Sequence, residues 1–284
     1  EASDTRLEND SFRVEIDPET GFVTSLFDKK EQVEVLAGSG IRPVVINDDS
    51  DTWSHNVLRY EEEVGQFIAK SVQLVEHGSV KSVIRVVSEY GKSELVQDFT
   101  MYRELNQIDV HVTVNWQEKC KVLKKKFPTK VVHRKCTYEI PYGHIVRESN
   151  GEEEPGQSWI DISGSDLPTD KRYGLSILNN GKYSFDIHGR EMGLTVLRSP
   201  IYAHHDPVKP KETGHYTFID QGIQTFTYSI LPHAGTWENA ETVKKAAELN
   251  QPPTTIIETY HKGSLPQADS FIDVDVDNVI VTVV

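Results

Sequence analysis

Residues 173–207 read YGLSILNNGKYSFDIHGREMGLTVLRSPIYAHHDP and carry the most informative strand pattern of the chain. It predicts three short strands, because apolar and β-branched residues dominate three separate runs. These runs are Leu175–Asn180, Tyr183–Ile187 and Leu194–Leu197. Asn179-Asn180-Gly181 and His188-Gly189 lie between them and predict turns, since Asn and Gly tolerate a positive φ.

Period-two alternation continues on both sides of this stretch. It begins at Phe12–Ile16 and gives three long strands in succession at Val80–Val87, Glu94–Tyr102 and Ile108–Trp116. Strands of this length joined by short turns are typical of large antiparallel sheets with one face buried. No alternation of strands with helices is present, which disfavours parallel α/β folds and their barrels.

The sequence therefore predicts an all-β protein built from two large packed antiparallel sheets, a super-sandwich over residues 1–235 with one short helix. The helix is expected in the linker 236–250, where Thr236 caps it and Trp237, Ala240, Val243 and Ala247 share one face. Residues 251–284 are expected to begin a second β domain. Its last apolar strand, Asn278–Val284, has no partner after it, which predicts a truncated C-terminal segment.

Composition narrows the class of protein. Hydrophobic residues make up 37% of the chain, and no apolar run approaches the roughly 18–20 residues of a membrane-spanning helix. The net charge of −14 disfavours nucleic acid as a partner. The two cysteines, Cys120 and Cys136, form no CxxC pair and predict two reduced, partly buried thiols, hence a cytoplasmic protein. The basic run Lys119–Lys130 is expected to be a solvated face.

Two polar clusters are candidates for binding. Asp51, Trp53 and His55 combine an aromatic ring, which stacks on a pyranose, with groups that bind hydroxyls. The alternative is a tryptophan packed against a neighbouring domain. The second cluster, His204-His205-Asp206, favours a polar loop over a zinc site, because adjacent histidines on a strand point to opposite faces.

The predicted substrate-binding rim has six residues, and no catalytic residue or metal ligand is predicted in this chain. The six are Asp51, Trp53, His55, Arg198, Tyr202 and His204. Arg198 closes an apolar strand before Ser199-Pro200, where a fixed guanidinium can donate to sugar hydroxyls or to a carboxylate across a domain interface.

A series of motifs in order along the chain resembles the C-terminal β domain of glycoside hydrolase family 38 α-mannosidases. The motifs are ENDSFRVEIDPETGFVTSLFDK, SELVQDFTMYRELNQIDVHVTVNW, KKKFP, EIPYG, EEEPGQSWIDI, LNN-x-KY with L-x-x-LRSP-x-Y, and FTYSILPHAG. The resemblance implies a galactose mutarotase-like super-sandwich. It also places the loop of Trp53 near a catalytic barrel and Arg198 near the edge of an active site.

In the family, the resemblance implies, a zinc ion and an aspartate nucleophile of a retaining α-mannosidase lie in an N-terminal barrel that this chain lacks. Retaining hydrolysis needs two carboxyl groups about 5 Å apart, and nothing here identifies such a pair. We therefore expect a non-catalytic part with no cofactor of its own, whose partners are that catalytic domain and, in the full enzyme, a mannose-containing glycan. The alternatives are a free-standing carbohydrate-binding module and a purely structural interaction domain.

Overall fold

Alternation of apolar and polar residues produces the longest strands of the structure, a computed structural model that describes residues 1–166, 170–211, 213–276 and 278–282. In β10 (Ser93–Tyr102) and β11 (Ile108–Trp116) every second residue is buried, so one face of each strand points into the core. Both strands were predicted, as was β9 (Lys81–Tyr90) beside them. Every strand pair in the described part of the chain is antiparallel.

The largest sheet has nine strands and contains this central group. Their spatial order is β14 (Gly143–Arg147), β13 (Val131–Ile140), β16 (Trp159–Asp166), β17 (Arg172–Asn179), β20 (Gly222–Ala234), β11, β10, β9 and β8 (Ile68–His77). The second sheet has six strands, in the order β15 (Glu154–Pro155), β18 (Ser184–His188), β19 (Glu191–Arg198), β12 (Lys121–Pro128), β6 (Arg42–Asn47) and β7 (Glu63–Gln66).

A smaller sheet of five strands is formed by the first part of the chain. It runs β1 (Ala2–Ser3), β2 (Arg6–Glu8), β3 (Phe12–Ile16), β4 (Val23–Asp28) and β5 (Val33–Glu34). One continuous apolar core includes side chains of all three sheets. The rings of Phe127 on the six-stranded sheet and Tyr228 on the nine-stranded sheet meet edge to face at 5.8 Å, so the two large sheets pack on each other as predicted.

Residues 173–207 form the three predicted strands, but they belong to two different sheets. β17 lies in the nine-stranded sheet, whereas β18 and β19 pair with each other in the six-stranded sheet. Asn179 builds the crossing: its Oδ1 accepts the amide N–H groups of Gly181 at 3.0 Å and Lys182 at 2.7 Å. This side-chain turn sends the chain from one layer to the other.

The predicted solvated face at Lys119–Lys130 is wrong for the central lysines of this run, although Lys119 is exposed. Lys124, Lys125 and Lys126 on β12 are all buried. Lys125 points into the core between the large sheets, where Nζ donates to Oε1 of Gln97 on β10. Burial holds the pKa of Lys125 well below its ordinary value.

The single helix among the described residues, α1 (Thr242–Asn250), begins six positions after the predicted cap, because Thr236 instead donates to Asn239 in a preceding turn. Trp237 and Ala240 of the predicted face pack against the apolar cluster of Trp159 and Leu178. Within the helix, however, Ala246 is the residue buried there, whereas Val243 is exposed.

The chain divides into two compact units, Glu1–Asn250 and Gln251–Val284. The second unit has no helix or strand among its described residues, so the strand expected at 278–284 is wrong for residues 278–282. Positions 283 and 284 lie outside the described residues. A lone strand has no ladder of hydrogen bonds to hold it. The assignment of 251–284 to a second β domain stays a prediction.

No helix in the described ranges is long and apolar enough to cross a membrane.

Candidate functional site

Two loops leave the six-stranded sheet at the same end. Residues 48–62 follow β6 and residues 199–221 follow β19. β6 and β19 lie on either side of β12, where Asn47 pairs with Lys121 and Arg198 pairs with Val122. The two strands therefore end at the same edge of the sheet, one strand apart, which brings together loops that are about 150 residues apart in sequence.

Asp51 organises the first loop. Its side chain is fully buried, and Oδ1 accepts the amide N–H groups of Trp53 and His55, both at 3.0 Å. Oδ2 meets Nδ1 of His55 at 2.6 Å and accepts the amide N–H of Asp206, on the second loop, at 3.2 Å. Burial raises the pKa of the Asp51 carboxyl, but the hydrogen bonds from His55 and Asp206 outweigh it and hold that pKa below its usual range.

Arg198, the last residue of β19, links this strand to the loop after β6. Its Nε donates to Oδ2 of Asp48 at 2.9 Å and its Nη2 donates to Oγ of Ser50 at 2.8 Å. The same guanidinium reaches the carbonyl oxygens of Asp51 and Thr52 at 3.2 and 3.4 Å. Since Nε, Nη1 and Nη2 all have acceptors within the chain, Arg198 acts here as a residue that positions the loop.

Thr52 completes the contact between the loops. Its amide N–H donates to the carbonyl oxygen of His204 at 3.1 Å, and its Oγ1 donates to that of Ile201 at 2.7 Å. Residues Ser54 and Ala203, one in each loop, both have φ near 55°. Non-glycine residues hold this left-handed conformation only where surrounding contacts impose it.

An aromatic group lies on the outer surface of the joined loops. The ring of Trp53 is 6.3 Å from that of His55 and 5.5 Å from that of His205, and the two imidazoles are 4.8 Å apart. Trp53 is 58% exposed, so a flat apolar surface faces outward beside two imidazoles. Such a surface can stack on a sugar ring or pack against another protein surface.

The structure links five of the six predicted rim residues by direct contacts. The sixth residue lies in the loop after β19. Asp51, Trp53, His55, Arg198 and the main chain of His204 are linked by the contacts above. Tyr202 is 67% exposed and bonds through its amide N–H to Thr217. Their role in binding substrate stays a prediction.

Sequence reasoning missed two residues of this group. His205, not its neighbour His204, places its ring beside Trp53. Tyr60 packs under the loop, with the Arg198 guanidinium 5.4 Å from its ring centre. The only sequence signals were the adjacent histidines and the aromatic residue at the end of the loop. Neither signal specifies which way the side chain points.

A buried ionic network underlies the first loop on the outer face of the six-stranded sheet. Lys124 donates to Glu153 and to Asp186, and Lys126 donates to Asp186 at 3.0 Å. Burial by itself lowers the pKa of Lys124, but the negative charges of Glu153 and Asp186 more than reverse this and raise it. The Lys124 ammonium also lies 5.9 Å from the ring centre of Tyr60, so the network supports the loop from below.

A further buried polar cluster contains Ser176, His233 and Asp161 but does not form a catalytic triad. Nε2 of His233 contacts Oδ2 of Asp161 at 2.8 Å and Oγ of Ser176 at 3.3 Å. A triad needs the imidazole to bridge acid and nucleophile through its two different nitrogens. All three side chains are buried, and Ser176 also bonds Thr242 of α1, so this cluster fixes the helix to the sheet.

Both cysteines are free thiols, Cys136 buried and Cys120 half-buried.

Comparison with known proteins defines the family. Residues 7–207 match the model of the glycosyl hydrolases family 38 C-terminal domain. The chain is 27% identical over 249 residues to alpha-mannosidase G of Dictyostelium discoideum, covering 81% of this chain and 21% of that protein. It is 28% identical over 263 residues to alpha-mannosidase 2C1 of Mus musculus, covering 87% of this chain and 23% of that protein.

Solved structures support the fold. An alpha-mannosidase from Enterococcus faecalis V583 superimposes with a TM-score of 0.72 at 18% identity, covering 92% of this chain and 33% of the other. The chain thus spans about a fifth to a third of the length of these relatives. The match of the family model over residues 7–207 shows that the chain belongs to the glycosyl hydrolases family 38 C-terminal domain.

Proposed function

We propose that this chain is the non-catalytic C-terminal part of a retaining α-mannosidase, and that it packs on a zinc-dependent catalytic barrel and completes the substrate cleft. The family match carries this proposal, because the chain corresponds to only 21–23% of two relatives that are named as alpha-mannosidases. The zinc ion and the nucleophile would belong to the barrel.

The joined loops are the part of this chain that we assign to the cleft. They present Trp53 on a surface whose conformation is fixed from below by Arg198 and the Lys124 network. We propose that Trp53 offers its ring to a sugar, while the exposed Tyr202 makes a polar contact beside it. Arg198 would act through the loop that it positions rather than on the sugar itself.

The exposure of Trp53 also favours a second function. An exposed tryptophan beside polar groups on a rigid β-sandwich also suits a free-standing carbohydrate-binding module. The two functions differ in what the chain does alone, because a module holds a saccharide without help whereas half of a cleft does not.

Titration calorimetry of the purified chain with mannose and mannobiose separates them. The cleft proposal predicts no saturable heat at millimolar sugar. Saturable binding that Trp53→Ala removes would instead establish the binding module. Tyr142→Ala is a matched control, because Tyr142 is an exposed aromatic outside the joined loops, in the turn between β13 and β14.

We also propose a cytoplasmic location, which the two free thiols support, since cysteines of cytosolic proteins are kept reduced. Trapping of thiols in intact cells, followed by mass spectrometry, would test whether both remain reduced.

A further inference from the structure

Asp51, His55 and His205 form a cluster whose ligand-type atoms all lie within 4.8 Å of one another. Asp51 and His55 come from the loop after β6, and His205 comes from the loop after β19. The structure therefore concentrates two imidazoles and one carboxylate at the point where the two loops meet.

The carboxylate of this cluster has an unusual electrostatic situation. Asp51 is fully buried, and among the described residues neither lysine nor arginine forms a salt bridge with it. The nearby Arg198 places its charge on Asp48, at 2.8 Å, and offers Asp51 only a bond to the backbone carbonyl. A buried carboxylate without a fixed counter-charge is stabilised by any cation that binds beside it.

Both imidazoles are oriented through the same nitrogen. Nδ1 of His55 faces Oδ2 of Asp51 at 2.6 Å, and Nδ1 of His205 contacts the carbonyl oxygen of Asp206. Because these oxygens accept a hydrogen bond, each neutral ring carries its proton on Nδ1 and leaves a lone pair on Nε2. The ring centres are 4.8 Å apart, which brings two prepared nitrogen ligands into one small region.

A carboxylate that holds the far nitrogen of a histidine is the usual support of a metal-binding imidazole. Asp51 has this relation to His55, and the Asp206 carbonyl has it to His205. The ring of Trp53 covers one side of the pair, while the His55 side chain remains 47% exposed, so that water can complete the coordination of an ion.

We propose that His55 and His205 bind a divalent transition-metal ion of the zinc class through their Nε2 atoms, with Asp51 behind His55 as the orienting carboxylate. Imidazole nitrogen selects such ions over calcium and magnesium, which prefer oxygen ligands. The ion ties the loop after β6 to the loop after β19 at the surface that carries Trp53. The sequence alone predicts no metal ligand in this chain.

Calorimetric titration of the metal-free chain with zinc chloride tests the proposal. The expected result is one equivalent of zinc bound, with no comparable binding of calcium chloride at the same concentration. His55→Ala and His205→Ala should each abolish this binding, whereas Asp51→Asn should weaken it about 10- to 100-fold, as expected when an orienting carboxylate is lost. His204→Ala is the matched control, since it removes an adjacent histidine from outside the cluster, and it should bind zinc normally.

Thermal unfolding gives an independent readout, because an ion that binds only the folded state raises the melting temperature. A hundredfold excess of zinc over its Kd should raise the Tm of the parent chain by roughly 5 °C, and that of His205→Ala by much less. His205 is exposed, so its variant should fold normally. Absence of zinc binding to the parent chain, equal binding by His205→Ala and His204→Ala, or equal affinity for calcium would each overturn the proposal.

Discussion

The guanidinium of Arg198 donates from Nε to the buried carboxylate of Asp48 at 2.9 Å, across a separation of 150 residues. Arg198 ends a strand of the six-stranded sheet, and Asp48 opens the loop that carries Trp53. This pair therefore connects the scaffold directly to the surface that we assign to the substrate cleft.

Loss of this pair should destabilise the protein strongly. Arg198→Ala leaves Asp48, whose side chain is only 1% exposed, as a buried charge without its partner, and we expect a loss of about 3 kcal/mol in the free energy of unfolding. Urea denaturation measures it. The control is Arg85→Ala, which breaks a bidentate but more exposed pair with Asp98 and should cost less than about 1 kcal/mol. Equal effects of the two variants would contradict the positioning role of Arg198.

The buried amine of Lys125 should lower stability at neutral pH. Burial makes its pKa lower in the folded chain than in the unfolded chain, so between the two pKa values the unfolded chain binds more protons. Stability then rises with pH until the unfolded-state pKa is passed. Replacing both partners, as Lys125→Met with Gln97→Leu, should raise the free energy of unfolding by about 1 kcal/mol or more at pH 7.

The advantage of this double variant should shrink between pH 7 and pH 10, which urea denaturation at several pH values would show. Gln97→Leu alone should destabilise, because it leaves the amine without its acceptor. A double variant that is less stable than the parent at pH 7 would contradict this prediction, because the buried amine would then stabilise the folded protein.

These lysines show where sequence reasoning fails. The alternation of apolar residues in β9, β10 and β11 identified the strands, since the periodicity of a strand is local. The burial of Lys124 depends on acids at Asp186 and Glu153, which are 62 and 29 positions away. A run of lysines read locally therefore looks solvated, although the fold supplies its counter-charges.

The candidate site was likewise predictable only in part from the sequence. Trp53, His55 and Arg198 are predicted from their chemistry, and Arg198 also from the family resemblance. They converge because strands β6 and β19 end at the same edge of the sheet, on either side of β12. Which of two adjacent histidines turns its ring toward Trp53 depends on the backbone of a loop, for which sequence offers no periodic signal.

Cys136 should resist alkylation in the folded protein. Burial raises the pKa of its thiol to about 11, so at pH 8.5 the folded chain keeps it protonated while an unfolded chain ionises about half of it. Iodoacetamide at pH 8.5 should label Cys136 only in denaturant, as mass spectrometry of the peptides would show. For the same reason its contribution to stability declines as the pH rises above about 8.5. Rapid labelling of Cys136 under native conditions would show that its strand opens readily.

Trp53 should matter to the complete enzyme without affecting its metal. In the full-length protein, Trp53→Ala should raise KM or lower kcat/KM for an α-mannoside about tenfold or more, because one stacking surface is lost. Zinc content measured by atomic absorption should be unchanged. Trp53→Phe keeps part of the stacking surface, so its loss of kcat/KM should be smaller. Tyr142→Ala should have the kinetics of the parent. Unaltered kinetics for Trp53→Ala would favour a tryptophan that packs against the neighbouring domain.

The most direct measurement is hydrolysis of an aryl α-mannoside by the purified chain and by the full-length protein, each with and without added zinc. A non-catalytic C-terminal part predicts turnover by the full-length protein and none by the chain under either condition. Zinc-dependent turnover by residues 1–284 alone, or a full-length protein inactive on α-mannosides, would contradict the account.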